Sequence, residues 1–219
     1  AVQAAARDLK KQLVKIAAAA FGVKSSQLRL QDGALICGEA RISFKEALQR
    51  RFGGPGGELI GRGDVGPEIT GSLPVFWEIG MGTAELDIDE ETGELRIKRY
   101  VSLADVGKAI HPEQCVGQEE GAAMMGIGHT LFEQMVYEDG RLINPNLVDY
   151  RVPTFSHVPK EFESILVENG DGPGPHGARG MGEGGIVSAA PAITNALARA
   201  TGVRIRDLHD GTAAHQSGG

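Results

Sequence analysis

The stretch GARGMGEGGIVSAAPAITNALARA, Gly177 to Ala200, restricts the possible folds more than any other in the chain. Its glycines at 177, 180, 182, 184 and 185 carry no Cβ, so the backbone can turn tightly there and be approached closely by another segment or a bound group. The apolar, alanine-rich run from about Val187 to Thr201 follows at once and predicts a helix. Any fold must therefore set a tight loop at the start of a packed helix, with a single acidic side chain, Glu183, flanked by glycines.

Gly180-Met181-Gly182-Glu183-Gly184-Gly185 also fits the G-x-G-x-x-G pattern of dinucleotide-binding loops. That pattern has a physical basis only where a strand feeds directly into the glycines and a helix begins within them, so that pyrophosphate sits on free amides. Here the residues before the glycines, NGDGPGPHGAR, form a loop, and the only acidic residue at the right distance, Asp207, lies at the wrong end of TGVRIRDL. A nicotinamide site is therefore the least supported reading. Two others stay open. The glycines can simply supply positive φ angles, with Glu183 solvated or capping the next helix. Alternatively, the bare backbone beside Glu183 leaves its carboxylate unshielded and lets amides approach an anion. Against an apolar, ligand-filled cavity such a carboxylate titrates nearer neutrality, where it works best as a base.

The remaining chain supplies the frame. Val2, Ala5, Leu9, Leu13 and Ile16 share one helical face while Arg7, Lys10, Lys11 and Lys15 lie elsewhere, and the chain opens without methionine inside this pattern, as a piece of something longer would. SSQLRLQDGALICG predicts two strands about an Asp32-Gly33 turn, and SFKEALQRRFGG a helix capped by Ser43. GPGGELIGRGDVGPEITG reads as a turn-rich loop, its Arg62-Gly63-Asp64 included, rather than an adhesion motif. PVFWEIGMGTAELDID and ELRIKRYVSLADVG predict a long hairpin, with Ala84, Leu86 and Ile88 on its buried face. A helix from near Glu113 through EQCVGQEEGAAMMGIGHTLFEQMVYE carries Gly117, Gly121, Gly126 and Gly128, poor helix formers that suggest a close approach by another backbone or a ligand. DGRLINPNLVDYRVPTFSHVP reads as an ordered connector and ESILVENG as a strand, while the tail 209–219 is expected to be disordered. With no repeat and no linker, residues 1–219 read as one α+β unit: a mixed sheet with a long hairpin and packed helices.

Composition excludes several classes. At 219 residues and 41% hydrophobic content the chain can build a core, and a net charge of -7 gives no electrostatic reason to approach nucleic acid or an anionic membrane. No run is long enough to span a bilayer and no signal peptide opens the chain, so the cytoplasm is the default compartment. Cys37 and Cys115 are the only cysteines, too few for an iron-sulfur cluster or a structural zinc site. The six histidines show no HExxH and no paired helical spacing, so no protein-ligated metal is expected. Met124, Met125 and Trp77 read as core or interface residues.

Three blocks, in order, closely resemble the C-terminal part of the molybdopterin-binding large subunit of the xanthine dehydrogenase and aldehyde oxidase family. They are DVGKAIHPEQCVGQEEGAAMMGIGHTLFE, DGRLINPNLVDYRVPTFSHVP, and GARGMGEGG with the helix that follows. The second is similar to the family's Asn-x-x-x-Tyr-x-x-Pro connector. Together the blocks cover most of Pro74 to Leu208, whereas residues 1–72 match only loosely. His111-Pro112 stands where the family has Asn-Pro, Arg179 where lysine is common, and Gly184-Gly185 where many members have Pro-Pro.

The resemblance implies an α+β cofactor-binding fold and a molybdopterin with molybdenum, in its plain or cytosine dinucleotide form. It makes Glu183 the active-site base. Gln118 matches the glutamine of the family's Gly-Gln-x-Glu-Gly, which contacts the pterin; the amides around Gly180, Met181, Gly182 and Gly184 can hold its anionic parts. The implied reaction transfers water-derived oxygen to an electron-poor carbon of an aldehyde or N-heterocycle, with hydride passing to the molybdenum centre. Iron-sulfur clusters and FAD, and the rest of the molybdenum-binding region, are expected on partner chains or domains of a hetero-oligomer. This chain alone is expected to be inactive. The alternative is a non-catalytic scaffold of the same fold.

Overall fold

The computed structural model describes residues 1–54, 57–64 and 77–208. The tail 209–219 and Pro74 to Phe76 of the hairpin segment lie outside the described residues. Where the sequence reads as one unit, contacts divide the chain into two, Ala1–Ser72 and Leu73–Gly219, each with a core of its own.

The first unit opens with α1, Val2–Phe21, which buries Leu13 and Ala17 and stops where Gly22 turns left-handed at φ 66°. Strands β1, Arg29–Gln31, and β2, Ala34–Cys37, pair antiparallel about Asp32 and Gly33, whose φ values of 47° and 69° give the tight turn that matches strand twist. A further strand, β3, Ala40–Ser43, pairs with β2. It was not expected, because its one buried residue, Ile42, leaves no alternation to read. Helix α2, Phe44–Phe52, begins as expected at Ser43: Ser43 Oγ accepts the Glu46 amide, and the Glu46 carboxylate accepts the Ser43 amide. Leu13, Ala17, Leu35, Ile42 and Ala47 form the core. Arg62 and Gly63 lie against α1 rather than in a turn. The Arg62 amide donates to Asp8 at 3.0 Å, and a Cβ on Gly63 would stand 2.2 Å from the Ala5 nitrogen. That hydrogen bond, with a second from Gln12, holds the exposed Asp8 carboxyl below its usual pKa.

In the second unit, β4, Gly80–Ile88, and β5, Leu95–Asp105, form the long hairpin, with a bulge between Glu85 and Leu86. Its turn is tied by Asp89, whose side chain accepts the amides of Glu91 and Thr92, each at 2.9 Å. Helix α3, Pro112–Leu131, follows; it ends well before the sequence reading had it end. Asp139 and Gly140 adopt positive φ and close a two-residue hairpin of β6, Tyr137–Glu138, and β7, Arg141–Leu142, which takes those residues out of the helix. Strand β8, Glu161–Val167, lies parallel to β5, giving a mixed sheet in the order β4-β5-β8. A parallel neighbour needs a long crossover, and α3 with its connector supplies one. Helix α4, Gly185–Thr201, starts two residues earlier than expected.

Both helices of this unit pack on the sheet about Tyr100, Ala123, Ile127, Ala189, Ala192 and Ile193. Gly126 permits the contact: a Cβ there would lie 2.5 Å from Ala189 Cβ and 2.7 Å from the Ile186 carbonyl oxygen. Met124 packs on this core, but Met125 is exposed, since successive helical residues point about 100° apart. Trp77 is exposed too. Among the described residues no helix is long and apolar enough to cross a membrane.

Candidate functional site

The site is assembled where β5 ends. Val106 donates to the Val167 carbonyl at 3.0 Å and accepts the Arg179 amide at 2.9 Å, so one residue links β8 to the stem of the glycine loop. Gly107, at φ 63°, cannot be replaced cheaply: a Cβ would stand 2.2 Å from the Gly177 carbonyl oxygen. Asp105 is buried and accepts the Gly107 amide at 3.0 Å and the Asn169 side-chain amide at 2.9 Å. Glu168 accepts from Lys108 Nζ and from the Ala109 amide, each at 2.8 Å, and these contacts, the lysine first, lower its pKa.

Arg179 locks the loop stem. Its guanidinium donates to the Trp77 carbonyl at 2.7 Å and to Asp171 at 2.6 Å, and lies 3.5 Å from Asp105. One planar fork thus joins three segments, which a lysine ammonium could not reproduce.

From this stem the loop runs over the start of α3. Met181 packs on the cluster of Ala104, Val106 and Ala109, as Cys115 does. Gly185 meets Glu119, and Gly184 lies against the Glu78 side chain. Glu183 is exposed between these contacts, and only its carbonyl, accepting the Ile186 amide at 3.1 Å, is engaged. Among the described residues, no group accepts a hydrogen bond from the amides of Gly180, Met181, Gly182, Glu183 or Gly184. Gly182 has nothing within 4 Å of its Cβ position, and the same holds for Gly117 and Gly121 on α3.

Gln118 is exposed on α3 beside Glu119, which meets Gly185 where the loop ends. No hydrogen bond joins its side chain to the loop among the described residues. The structure therefore brings Gln118's helix and the Gly180 to Gly184 loop together without fixing a Gln118 contact. His111 serves α3 as its cap, Nδ1 accepting the Gln114 amide at 3.2 Å, which is the service an asparagine would give there. The connector motif proves architectural. Asn146 accepts the amides of Val148 and Asp149, Tyr150 donates to Glu133 at 2.6 Å, and a Cβ on Gly128 would meet the Pro153 ring at 2.9 Å.

Glu119 escaped the sequence reading. QEEG looks like a solvated charge pair, yet Glu119 lies in register with Ala122, Ala123, Gly126 and Ile127 on the buried stripe and is itself 1% exposed. That spacing was the available signal.

In chemical terms the site offers a row of unengaged amides at the start of a 17-residue helix, which suits an anionic group. It adds an amide side chain able to donate and accept, and one accessible carboxylate. Among the described residues no cluster of three histidine, cysteine, aspartate or glutamate side chains could hold a metal ion. These residues fit a group that brings its own metal and is held by its organic, anionic part.

A family model described as molybdopterin cofactor-binding domain matches residues 1–159. The probable hypoxanthine oxidase XdhD of Escherichia coli K12 is 30% identical over 213 residues, covering 95% of this chain and 22% of that protein. The putative xanthine dehydrogenase molybdenum-binding subunit XdhA of the same organism is 32% identical over 216 residues, covering 95% and 28%. A reconstituted CO dehydrogenase from Oligotropha carboxidovorans shares the fold at a TM-score of 0.76 and 24% identity, over 93% of this chain and 26% of that one. The chain thus spans about a quarter of the length of these relatives.

Proposed function

The chain belongs to the molybdopterin cofactor-binding domain family, and from that premise we propose that it forms the C-terminal portion of the cofactor-binding subunit of a molybdenum hydroxylase, with Glu183 as general base. The observation that carries this reading is the loop: an accessible carboxylate set among five amides that find no acceptor among the described residues, next to the helix that bears Gln118. Amides 180–184 and Gln118 would hold the pterin, in its plain or cytosine dinucleotide form. The bound cofactor supplies the redox centre that accepts two electrons from an aldehyde or N-heterocycle while water-derived oxygen is delivered to its electron-poor carbon.

The chain's own part is a proton transfer. Glu183 Oε takes the proton from the attacking oxygen, a step for which general-base catalysis is worth roughly 10²- to 10⁴-fold. Gly182 and Gly184 leave that carboxylate open to the reacting atoms, and the Arg179 fork keeps the loop stem from drifting. The missing three quarters of the relatives' length would supply the rest of the pterin site and the substrate pocket. Iron-sulfur and flavin groups would reside on partner chains or domains, in a cytoplasmic hetero-oligomer.

Metal analysis and pterin fluorescence on the native complex test this reading. One molybdenum and one pterin per copy of this chain are expected, with pterin retention falling in Gln118→Ala. Absence of both from a freshly purified, intact complex would leave a scaffold of the same fold.

A further inference from the structure

Helix α4 begins without a cap of its own: Gly184 has no side chain to offer and the first turn holds no acidic residue. A carboxylate reaches this end from α3 instead. Glu119 is fully buried; its Oε1 accepts a hydrogen bond from Ser102 Oγ on β5. A Cβ on Gly185 would lie 2.9 Å from that oxygen, 3.1 Å from Glu119 Cδ and 3.1 Å from its carbonyl oxygen. The other oxygen, Oε2, is buried with no hydrogen-bond partner among the described residues. Leaving a carboxylate oxygen unsatisfied in the interior is costly, and the favourable term available here is the positive end of the helix it abuts. Ser188 closes the arrangement, its Oγ donating to the Gly185 carbonyl at 3.1 Å and lying 3.3 Å from the Tyr100 hydroxyl.

We propose that Glu119, held by Ser102, is the positioning residue of the Glu183 loop: it seats Gly185, the first residue of α4, and thereby fixes how the carboxylate two residues earlier is presented. The functional half of this inference rests on Glu183 being the working base; the seat itself does not. Glu119 is fixed from β5 below and meets the helix end in front, so its removal frees the one point at which the loop changes into a rigid element. Gly185 is a helical residue, where alanine would ordinarily favour the helix; here a Cβ would press on the Glu119 carboxylate, its nearest neighbour, and on the Glu119 carbonyl oxygen.

The test uses the native complex with Glu119→Gln, Glu119→Ala, Gly185→Ala and the Glu119→Ala/Gly185→Ala double variant. Gly185→Ala is expected to lower the unfolding midpoint in the parent and to have at most half that effect when Glu119 is already alanine. In turnover, Glu119→Ala is expected to lower kcat at least tenfold with KM within twofold and molybdenum content unchanged. Glu119→Gln, which keeps the shape and the acceptor for Ser102, is expected to recover most of kcat. Strictly additive midpoint losses overturn the seat, and an unchanged kcat in Glu119→Ala overturns the positioning role. The midpoint cycle needs no turnover, so its result is separate from the fate of Glu183 as a base. Should Glu119→Ala fail to assemble, Glu119→Ser takes its place in the cycle.

Discussion

Arg179 donates to acceptors on two separate segments and lies beside a third, Asp105, with both ion-pair partners close to it in a site where its own side chain is only 10% exposed. Replacing it with lysine keeps the charge and loses the fork, so Arg179→Lys should destabilise the chain by about 1 to 3 kcal/mol, the cost of charge-assisted hydrogen bonds in a mostly buried site. A denaturation midpoint indistinguishable from the parent would remove Arg179 from this account. At this scale the sequence was legible where chemistry shows in the pattern. Ser43 before a helix could be read directly, and so could the accessibility of Glu183 between its glycines. Glu119 was overlooked, because a charged residue next to another charged residue reads as surface; its helical spacing from Ala122, Ala123 and Gly126 was the weaker signal, and it is the packing of α3 against α4 that shows it points inward.

Helices α3 and α4 approach through Gly126, and this contact governs the packing of the second unit. Gly126→Leu should cost about 1 to 3 kcal/mol through overpacking, whereas Gly121→Ala, with nothing within 4 Å, should raise the unfolding midpoint through a gain in helix propensity of up to about 1 kcal/mol. Tyr100 provides a pH test of the same core. Burial raises its pKa, the Glu119 charge adds to this, and the Ser188 hydrogen bond opposes it. The neutral phenol is therefore favoured in the folded state, so its contribution is complete below the ordinary tyrosine value near 10 and is lost as pH rises through the higher folded one. Urea midpoints of Tyr100→Phe should accordingly fall less steeply above about pH 10 than those of the parent; parallel curves would contradict the assignment. Elements with several alternating or helically spaced apolar residues were legible, among them α1, the β4-β5 hairpin and α4. The C-terminal end of α3 and the whole of β3 were not. A two-residue turn at Asp139-Gly140 competes locally with helix, and four residues carry too little periodicity.

Across the whole molecule, the mixed α+β architecture was readable, but the division into two units was not, since both cores are small and the segment between them carries no long charged or serine-rich linker. The chain accounts for about a quarter of the length of its relatives, so its chemistry is proposed only in company with the remainder. The most direct measurement is the turnover of the native complex bearing Glu183→Gln, with aldehydes and N-heterocycles as donors and a dye as electron acceptor. A fall in kcat of about 100-fold or more at unchanged molybdenum content is expected if Glu183 is the base. Full molybdenum occupancy with an undiminished rate would contradict it.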